Sequence, residues 1–329
     1  SSGAIRLTAT DLEVEMTADV AAGAKEAGAT TVPARKLLDI CRALPEASTI
    51  TLREQQGRLQ LKAGNSRFTL GTLAAEEFPR VGEIQDGVRF TVGRETLSDL
   101  LKRTAFAMAQ QDVRHYLTGL LLEVSSERMR AVSTDGHRLA LCDAEKAPKV
   151  AGEQSVIVPR KAIMELERLL GQAEEAVEVT LSARYARFGL GTLCMTTKLI
   201  DGQFPDYNRV IPSASTYKLL ADREPLREAL ARVAILANEK FRGVRLEADD
   251  KGLKLSSNNP ESEEAEETVA ARYTGERLVT AFNSSYIQEA LGALEGEVVE
   301  IGFTDANSSA LIREPDASRY LYVVMPMRL

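Results

Sequence analysis

The sequence has 329 residues and a net charge of −7, and 44% of its residues are hydrophobic while only 5% are aromatic. This composition predicts folded domains with aliphatic cores, and the negative charge excludes a protein coated with basic residues but not one with a local basic surface. No apolar run approaches the roughly 18 residues of a membrane span and no signal peptide opens the chain, so no membrane partner is expected.

Hydrophobic periodicity predicts a first helix over residues 34–44. In the middle of the chain the predicted elements are strand 88–92, helix 94–108, strands 117–124, 129–134, 137–144 and 155–159, helix 160–170, and strands 176–181, 186–191 and 194–200. In the last third they are helix 225–237, strands 243–248 and 253–257, helix 284–294 and a closing strand 319–326. This order predicts an α+β fold, in which two helices per domain pack on antiparallel sheets.

The sequence also repeats itself with a period of about 124 residues. One seven-residue pattern occurs as IRLTATD at 5–11, MRAVSTD at 129–135 and LKLSSNN at 253–259. A longer pattern of a β-branched run, a turn and a helix occurs at 31–44, 157–170 and 281–294. We therefore predict three related domains, over residues 1–87, 88–216 and 217–329.

The first of these domains is shorter than the second by about 37 residues of the repeat. The positions without a counterpart hold the first strand, the first helix and the strand LTGLLLEV of the middle domain. A domain that evolved to be short is one explanation. Because such a domain would expose apolar sheet surface that folded proteins rarely tolerate, we instead expect the natural protein to have a further N-terminal segment.

Three of the predicted helices are net positive in a net negative chain. They cover residues 34–44, 160–170 and 223–237. One explanation is a solvated helix face with mixed charges. The other is a shared surface along a phosphate backbone, which needs positive charge but no reading of bases.

Six segments together resemble those of one protein family. They are TDGHRLA (134–140), VPRK (158–161), DGQFPDYNRVIP (201–212), ILANEKFRGVRL (235–246), NNPESEEAEE (258–267) and YVVMPMRL (322–329). Their set and order resemble the beta subunit of DNA polymerase III, the bacterial sliding clamp family, over the whole chain. The resemblance implies a head-to-tail homodimer of three-domain chains, closed into a ring around duplex DNA, with helices lining the hole.

The resemblance further implies a processivity factor, a non-catalytic subunit of the DNA polymerase holoenzyme. A groove between the second and third domains would receive short linear motifs of the DNA polymerase III alpha subunit, the clamp loader, other polymerases and repair proteins. The implied groove residues are Leu117, Thr134, Gly136, His137, Arg138, Leu139, Pro205, Arg209, Val210, Ser309, Val323, Val324, Met325, Pro326, Met327, Arg328 and Leu329. The apolar chain end contains two methionines. A last strand in the core would account for Val323 and Val324 but poorly for Met325, Met327 and Leu329, whereas methionine suits a surface that adapts to several partners.

The same resemblance implies the surfaces that close the ring and meet the DNA. For the dimer interface the implied residues are Arg35, Lys36, Arg58, Arg67, Phe68 and Leu70 in the first domain and Ile235, Leu236, Glu261, Glu263, Glu264, Glu266 and Glu267 in the third. For non-specific contact with duplex DNA the candidates are Arg35, Arg42, Lys102, Arg103, Gln111, Arg114, Tyr116, Arg160, Lys161, Arg168, Arg227 and Arg232.

One pair of residues favours an enzyme instead, because an Asp135-x-His137 arrangement can orient a general base. No nucleophile motif, phosphate-binding glycine loop or metal-ligand cluster accompanies the pair. The three cysteines lack metal-ligand spacing, which predicts reduced thiols in the cytoplasm, no metal and no cofactor. Three hypotheses stay open: a DNA-encircling clamp, a DNA-independent peptide-binding scaffold and a hydrolase centred on His137.

Overall fold

The computed structural model describes residues 3–81, 84, 86–171 and 175–328. These residues form two compact units. The first unit draws on Ser1–Gln85 and Gly191–Thr196, and the second on Asp86–Leu190 and Thr197–Leu329. This division does not test the predicted boundaries of the three domains, which stay predictions.

Five α-helices lie in the described part of the chain: α1 (Ala34–Ala43), α2 (Arg94–Thr104), α3 (Arg160–Leu170), α4 (Arg223–Val233) and α5 (Ser284–Gly292). The helix predicted over residues 160–170 is confirmed at both ends. α2 and α4 are shorter than predicted because each passes into a single 3-10 turn, at Ala105–Ala107 and Ala234–Leu236. Such a turn tightens the end of a helix and redirects the chain.

The strands that lie wholly in the first unit are β1 (Ala4–Thr10), β2 (Val14–Ala21), β3 (Ile50–Gln55), β4 (Arg58–Ala63) and β5 (Ser66–Gly71). β1 and β2 pair antiparallel, while β3, β4 and β5 form a three-stranded antiparallel sheet in that order. Alternate residues of β4 are buried, namely Leu59, Leu61 and Ala63. This alternation is typical of a sheet with one covered face. Because β4 lies in the middle, β3 and β5 are the edge strands.

The remaining strands are β6 (Val88–Gly93), β7 (Gly119–Val124), β8 (Met129–Thr134), β9 (Arg138–Asp143), β10 (Gln154–Pro159), β11 (Ala176–Leu181), β12 (Tyr185–Leu190), β13 (Leu193–Lys198), β14 (Tyr217–Asp222), β15 (Gly243–Asp249), β16 (Gly252–Asn258), β17 (Glu264–Val269), β18 (Ala271–Thr274), β19 (Leu278–Asn283), β20 (Val298–Phe303), β21 (Ala310–Arg313) and β22 (Tyr320–Val324). The chain passes from the first unit to the second within β13. β6, β11 and β12 pair antiparallel in that order.

A nine-stranded sheet runs through the second unit in the order β10-β7-β8-β9-β22-β21-β20-β14-β18. Its central joint is the antiparallel pair of β9 with β22, in which Leu139 lies opposite Val323 and Arg138 lies opposite Val324. Since β9 comes from the predicted second domain and β22 from the predicted third, backbone hydrogen bonds hold the two parts together here. A second sheet has the order β17-β16-β15-β19.

The helices of the second unit pack in two pairs. α2 packs on α3 and on β8 and β9, whereas α4 packs on α5, β16 and β17. Both pairs place aliphatic residues in the core, such as Leu100 of α2 and Leu230 of α4, each at most 1% exposed. The predicted α+β class, with two helices packed on antiparallel sheets, is therefore confirmed.

Sequence patterns missed several strands, of which β17 matters most for the function. Its sequence EAEETV is rich in glutamate, and an acidic run of this kind is typical of a solvated loop. In the structure, β17 pairs with β16 in full register, so that Glu267 lies opposite Leu255 and Ala265 opposite Ser257. Because β17 ends the order of its sheet, it is an edge strand.

The three cysteines are free thiols with different exposure: Cys41 is exposed, Cys194 is half-buried and Cys142 is buried. Burial raises the pKa of the Cys142 thiol to about 12, so almost none of it is thiolate at neutral pH. We expect iodoacetamide to alkylate Cys41 in the folded protein and Cys142 only after unfolding. Peptide mapping by mass spectrometry measures both, and rapid labelling of Cys142 under native conditions would contradict its burial.

None of the helices in the described ranges combines the length and the apolar character that crossing a bilayer requires.

Candidate peptide-binding groove and charged surfaces

The groove predicted in the second unit begins at a tight turn between β8 and β9. The Thr134 hydroxyl donates to the carbonyl of Arg138 at 2.6 Å and accepts the N–H of Gly136 at 3.1 Å. Gly136 has a φ of +90°, and a Cβ at this position would lie 2.9 Å from a guanidinium nitrogen of Arg114. The turn therefore requires glycine both for its backbone conformation and for the close approach of Arg114.

Asp135 stabilises this turn rather than a catalytic imidazole. One of its carboxylate oxygens accepts the backbone N–H of His137 at 2.9 Å and that of Arg138 at 3.1 Å, and the other accepts Nε of Arg138 at 3.1 Å. The aspartate thus bonds to the main chain of His137, whose side chain is exposed. This arrangement is a hydrogen-bonded turn of the Asx type, and it removes the geometric basis of the hydrolase hypothesis.

The C-terminal segment that follows β22 forms the next part of the predicted groove. Met325 donates its backbone N–H to the carbonyl of His137 at 2.9 Å, and Met327 donates to the carbonyl of Ala281 in β19 at 2.7 Å. The segment therefore crosses from the nine-stranded sheet to the four-stranded sheet. Pro326 lies between the two bonds and has no N–H to donate. Leu329, the last predicted groove residue, lies outside the described residues.

An apolar floor lies beside this segment. It is a packed cluster of Leu121, Val132, Leu139, Leu141, Ile157, Tyr207, Leu311 and Val323, with Tyr116, Ile200, Phe204, Ile211 and Leu321 against it. Leu139 and Val323 are nearly inaccessible, whereas Val210 and Met325 expose 37% and 39% of their surface. The floor thus fixes the shape, and the accessible apolar area comes from residues at the rim.

The other predicted groove residues differ in accessibility. Pro205, Arg209 and Arg328 are exposed, Ser309 is half-buried, and Leu117 and Val324 are buried at 1% exposure. Since strand neighbours point to opposite faces, Val324 faces away from the floor that contains Val323. Leu117 and Val324 therefore support the groove from below and offer no area to a ligand.

Sequence reasoning missed an exposed aromatic residue close to the C-terminal segment. Phe241 exposes 54% of its surface, and the carbonyl of its neighbour Arg242 accepts the N–H of Ser284 at the start of α5. The next residue, Gly243, lies against the thioether of Met327, at 3.5 Å from the position of a Cβ. An exposed phenylalanine in the polar segment NEKFRG is a signal that was readable in the sequence.

Two cavities flank the segments that form the groove. One of about 510 Å³ lies between β10, the turn after β11 and residues 199–208, and Pro205 is the one predicted groove residue in its lining. Another of about 360 Å³ is lined by Val279, Thr280, Ala306, Asn307, Met327 and Arg328. The first cavity shares Leu121, Ile157 and Tyr207 with the apolar floor.

The residues predicted to meet DNA fall into three classes by exposure. Arg35, Arg42, Lys102, Gln111, Arg114, Lys161, Arg168, Arg227 and Arg232 are exposed, Tyr116 and Arg160 are half-buried, and Arg103 is buried. The prediction for Arg103 is corrected by its surroundings. Its guanidinium donates to Asp99 at 2.6 Å and to the carbonyl of Ala293 at 2.9 Å, and it lies 4.1 Å from the ring centre of Tyr320. A guanidinium enclosed in this way has no free face for a phosphate.

Several of the exposed cations are paired with acids of their own chain. The pairs are Arg35 with Asp39 at 3.3 Å, Arg114 with Asp112 at 2.7 Å, Arg168 with Glu165 at 3.0 Å, Arg227 with Glu224 at 2.8 Å and Arg232 with Glu267 at 2.7 Å. The bond from Arg114 holds the pKa of Asp112 at about 2. These pairs dilute the positive surface without removing it.

The residues predicted for the dimer interface come from α1, β4 and β5 in the first unit, and from the 3-10 turn after α4 and residues 261–267 at β17 in the second. In the first unit Arg35, Lys36, Arg58 and Arg67 are exposed and Phe68 is half-buried, but Leu70 is only 8% exposed because it packs inside its own sheet. In the second unit Ile235 is 77% exposed and Leu236 is half-buried. Glu261, Glu263, Glu264 and Glu266 are exposed and Glu267 is half-buried, with Lys254 bonded to Glu266 and Arg232 to Glu267.

Comparison with known proteins gives a consistent family along the whole chain. Three domains of the DNA polymerase III beta subunit match it: the N-terminal domain over residues 1–82, the central domain over 91–206 and the C-terminal domain over 208–328. The beta sliding clamp of Pseudomonas aeruginosa is 48% identical over 326 residues, which is 99% of this chain and 89% of the relative.

Solved structures agree with the sequence matches. The crystal structure of the DNA polymerase III subunit beta from Pseudomonas aeruginosa has a TM-score of 0.97 at 48% identity and covers 100% of this chain and 90% of its own. A sliding clamp of the same organism bound to griselimycin has a TM-score of 0.93 at 47% identity, with 100% and 89% covered. With its domains, its full-length relatives and its fold in agreement, the chain belongs to the family of the DNA polymerase III beta subunit, the beta sliding clamps.

Proposed function

We propose that this chain is the processivity factor of a replicative DNA polymerase. Two copies close head to tail into a ring around duplex DNA, and the ring tethers the DNA polymerase III alpha subunit, the clamp loader, other polymerases and repair proteins. The observation that carries the proposal is the open apolar groove beside the C-terminal segment, in a chain that matches clamps over its whole length. The protein acts on chromosomal DNA in the cytoplasm and performs no catalysis itself.

Short extended peptides fit the geometry of the groove. Its floor is apolar and fixed, while Met325 and Val210 offer accessible apolar surface at the rim. We propose that peptides of the form Gln-x-x-Leu-Phe bind here at micromolar strength. Two or three apolar anchors of roughly 1.5 to 3 kcal/mol each, less the cost of association, leave about −8 kcal/mol. Binding of this strength permits exchange between partners.

Ring closure is supported by two unpaired strand edges of opposite charge. β5 ends the sheet of the first unit and carries Arg67, while β17 ends the four-stranded sheet and carries Glu264 and Glu266. Exposed edges pair readily with another strand. We propose that β5 of one chain adds to β17 of the other, with Ile235 packing beside Phe68.

Retention on DNA of different topology tests the proposed function. A closed ring stays on a nicked circular duplex after loading but slides off a linear duplex of the same sequence. A DNA-independent peptide-binding scaffold, the alternative function, would show no difference between the two. Native mass spectrometry must also show a dimer, which is the minimum condition for the ring.

Contact with DNA itself should be weak and should depend on salt and not on sequence. Each phosphate contact steepens the slope of log K against log salt by about 0.9, so Arg168→Ala should lower this slope by roughly one contact. Arg6→Ala removes a comparable exposed ion pair, with Asp19, at a site outside the proposed DNA surface, and should leave the slope unchanged. Filter binding over a salt series measures both. A strong preference for one base sequence would contradict loose contact.

A further inference from the structure

Arg138 has two separate roles in the geometry of the groove. Its backbone belongs to the wall, since its carbonyl accepts the Thr134 hydroxyl and its residue pairs with Val324 in the joint of β9 with β22. Its side chain is only 10% exposed, and because its strand neighbour Leu139 belongs to the floor, Arg138 points to the opposite face of the sheet. A ligand in the groove therefore meets the main chain of Arg138 and very little of its guanidinium.

The guanidinium binds three separate parts of the second unit. It donates to Asp135 of its own turn at 3.1 Å, to the carbonyl of Phe106 after α2 at 2.7 Å, and to the carboxylate of Glu289 on α5. Arginine has a rigid fork of five donors and is suited to such a joint, whereas lysine places a single point charge. The contacts thus connect the turn between β8 and β9 with the end of α2 and with α5.

Aromatic rings hold the guanidinium in one orientation. Its central carbon lies 4.5 Å from the ring centre of Tyr286 on α5 and 5.4 Å from that of Phe106. Tyr286 and Glu289 are three residues apart and therefore share one face of α5. Burial lowers the pKa of Arg138, but the adjacent Asp135 carboxylate favours its charged form.

The position of α5 in turn determines the course of the C-terminal segment. β19 leads directly into α5, and Ala281 of β19 holds the backbone of Met327, while His137 holds that of Met325. The segment is thus attached at one end to the turn that contains Arg138 and at the other end to the strand before α5. A change in the distance between the turn and α5 must displace the rim methionines.

We propose that Arg138 is the positioning residue of the groove. Its contacts with Glu289, Tyr286 and Phe106 set the separation of the β8–β9 turn from α5, and with it the position of the C-terminal segment, and Arg138 does not itself contact the peptide. The proposal rests on the proposed function of the groove. It goes beyond that function because it makes the affinity for peptides depend in part on the buried contacts of Arg138 behind the groove. Peptide binding should then depend on Arg138 and Glu289 as a unit.

Peptide affinity of Arg138→Lys, Glu289→Gln and the double variant tests this dependence. We expect Arg138→Lys to weaken a Gln-x-x-Leu-Phe peptide roughly tenfold, a typical coupling between connected sites. Glu289→Gln should weaken it less, and the double variant should be no worse than Arg138→Lys alone, because residues that act as a unit are not additive. Fluorescence anisotropy with labelled peptide gives the constants, and native mass and thermal unfolding show that each variant is folded.

Arg313→Lys is the matched control. Arg313 of β21 donates to Glu300 of β20 at 2.6 Å and 2.9 Å in the same nine-stranded sheet. This variant therefore changes a second arginine–glutamate pair, whose arginine is 36% exposed, and should bind peptide normally. Substituting each peptide residue in turn separates positioning from contact. A positioning role predicts the same fold-loss from Arg138→Lys for every peptide, whereas a loss confined to one peptide side chain would show direct contact and overturn the proposal.

Two further results would also decide the matter. Wild-type affinity in Arg138→Lys, with wild-type protein binding the peptide as expected, would overturn the positioning role alone. Wild-type protein that bound no such peptide would overturn the proposed function, and the positioning role with it. If Arg138→Lys fails to fold, Glu289→Gln carries the test, since Glu289 is half-exposed at 48% and its loss leaves the other bonds of Arg138 in place.

Discussion

Replacing Ile235 and Leu236 together by Ala should convert the dimer into monomers. Ile235 exposes 77% of its surface in the single chain. Burial of so much aliphatic surface against a partner chain strongly favours association. A head-to-tail ring of two chains has two identical interfaces, so four side chains are lost at once. At full burial these contribute about 6 to 12 kcal/mol in all, and every 1.4 kcal/mol is about a factor of ten in the dissociation constant.

Sedimentation velocity at nanomolar concentration measures this change. The double variant Val113→Ala with Met164→Ala is the control, because Val113 and Met164 are 92% and 47% exposed but lie outside the proposed interface. It should remain dimeric. Charge reversals among the basic and acidic residues of the proposed dimer interface should have smaller effects, since exposed ion pairs contribute about 0 to 1 kcal/mol each. A stable dimer of the Ile235 and Leu236 variant would show that the ring closes elsewhere.

Local patterns in the sequence predicted those elements whose faces are clearly divided. α3 has Ile163, Leu166 and Leu170 at helical spacing, and its predicted and observed bounds agree. β17 was missed because its period of two is hidden by glutamate on both faces. The backbone pairing with β16 makes β17 a strand, although β17 shows no apolar alternation. Tertiary pairing therefore decided what propensity left open.

The error on Arg103 has a different physical origin. Naming Arg103 as a DNA contact treats it as solvated, but Arg103 follows Leu100 by three residues and therefore lies on the apolar face of α2. Its partners, the carbonyl of Ala293 and the ring of Tyr320, come from far along the chain. The position on the helix was a readable signal, whereas the partners were not.

Only part of the predicted groove could be derived from the sequence without the family resemblance. Its turn, with Thr134, Asp135 and Gly136, is local and could be derived from turn chemistry. The bonds of Met325 to His137 and of Met327 to Ala281 join segments that are distant in sequence, and no periodicity relates them. The resemblance to a family supplied this part of the prediction.

Deleting Met325 to Leu329 should abolish peptide binding and leave the dimer intact. The deletion removes the accessible thioether of Met325 and both backbone bonds that hold the segment between the sheets, but it begins after β22 has ended at Val324. The joint of β9 with β22 is therefore preserved, and with it the fold. If two apolar side chains of the peptide lose their contacts, at roughly 1.5 to 3 kcal/mol each, binding weakens more than about a hundredfold. Anisotropy of a labelled Gln-x-x-Leu-Phe peptide measures the loss.

The variant Met325→Leu with Met327→Leu separates the apolar surface from the thioether. Leucine conserves the volume, and swaps of this kind usually cost less than about 1.5 kcal/mol in a packed site, so affinity should fall only severalfold for a single peptide. Methionine differs from leucine in its flexibility, and the leucine variant should therefore discriminate more strongly between peptides of different shape than the wild type does. Unchanged affinity after the deletion would place the binding site away from the C-terminal segment, because a peptide that packs on Met325 cannot keep its affinity when that residue is removed.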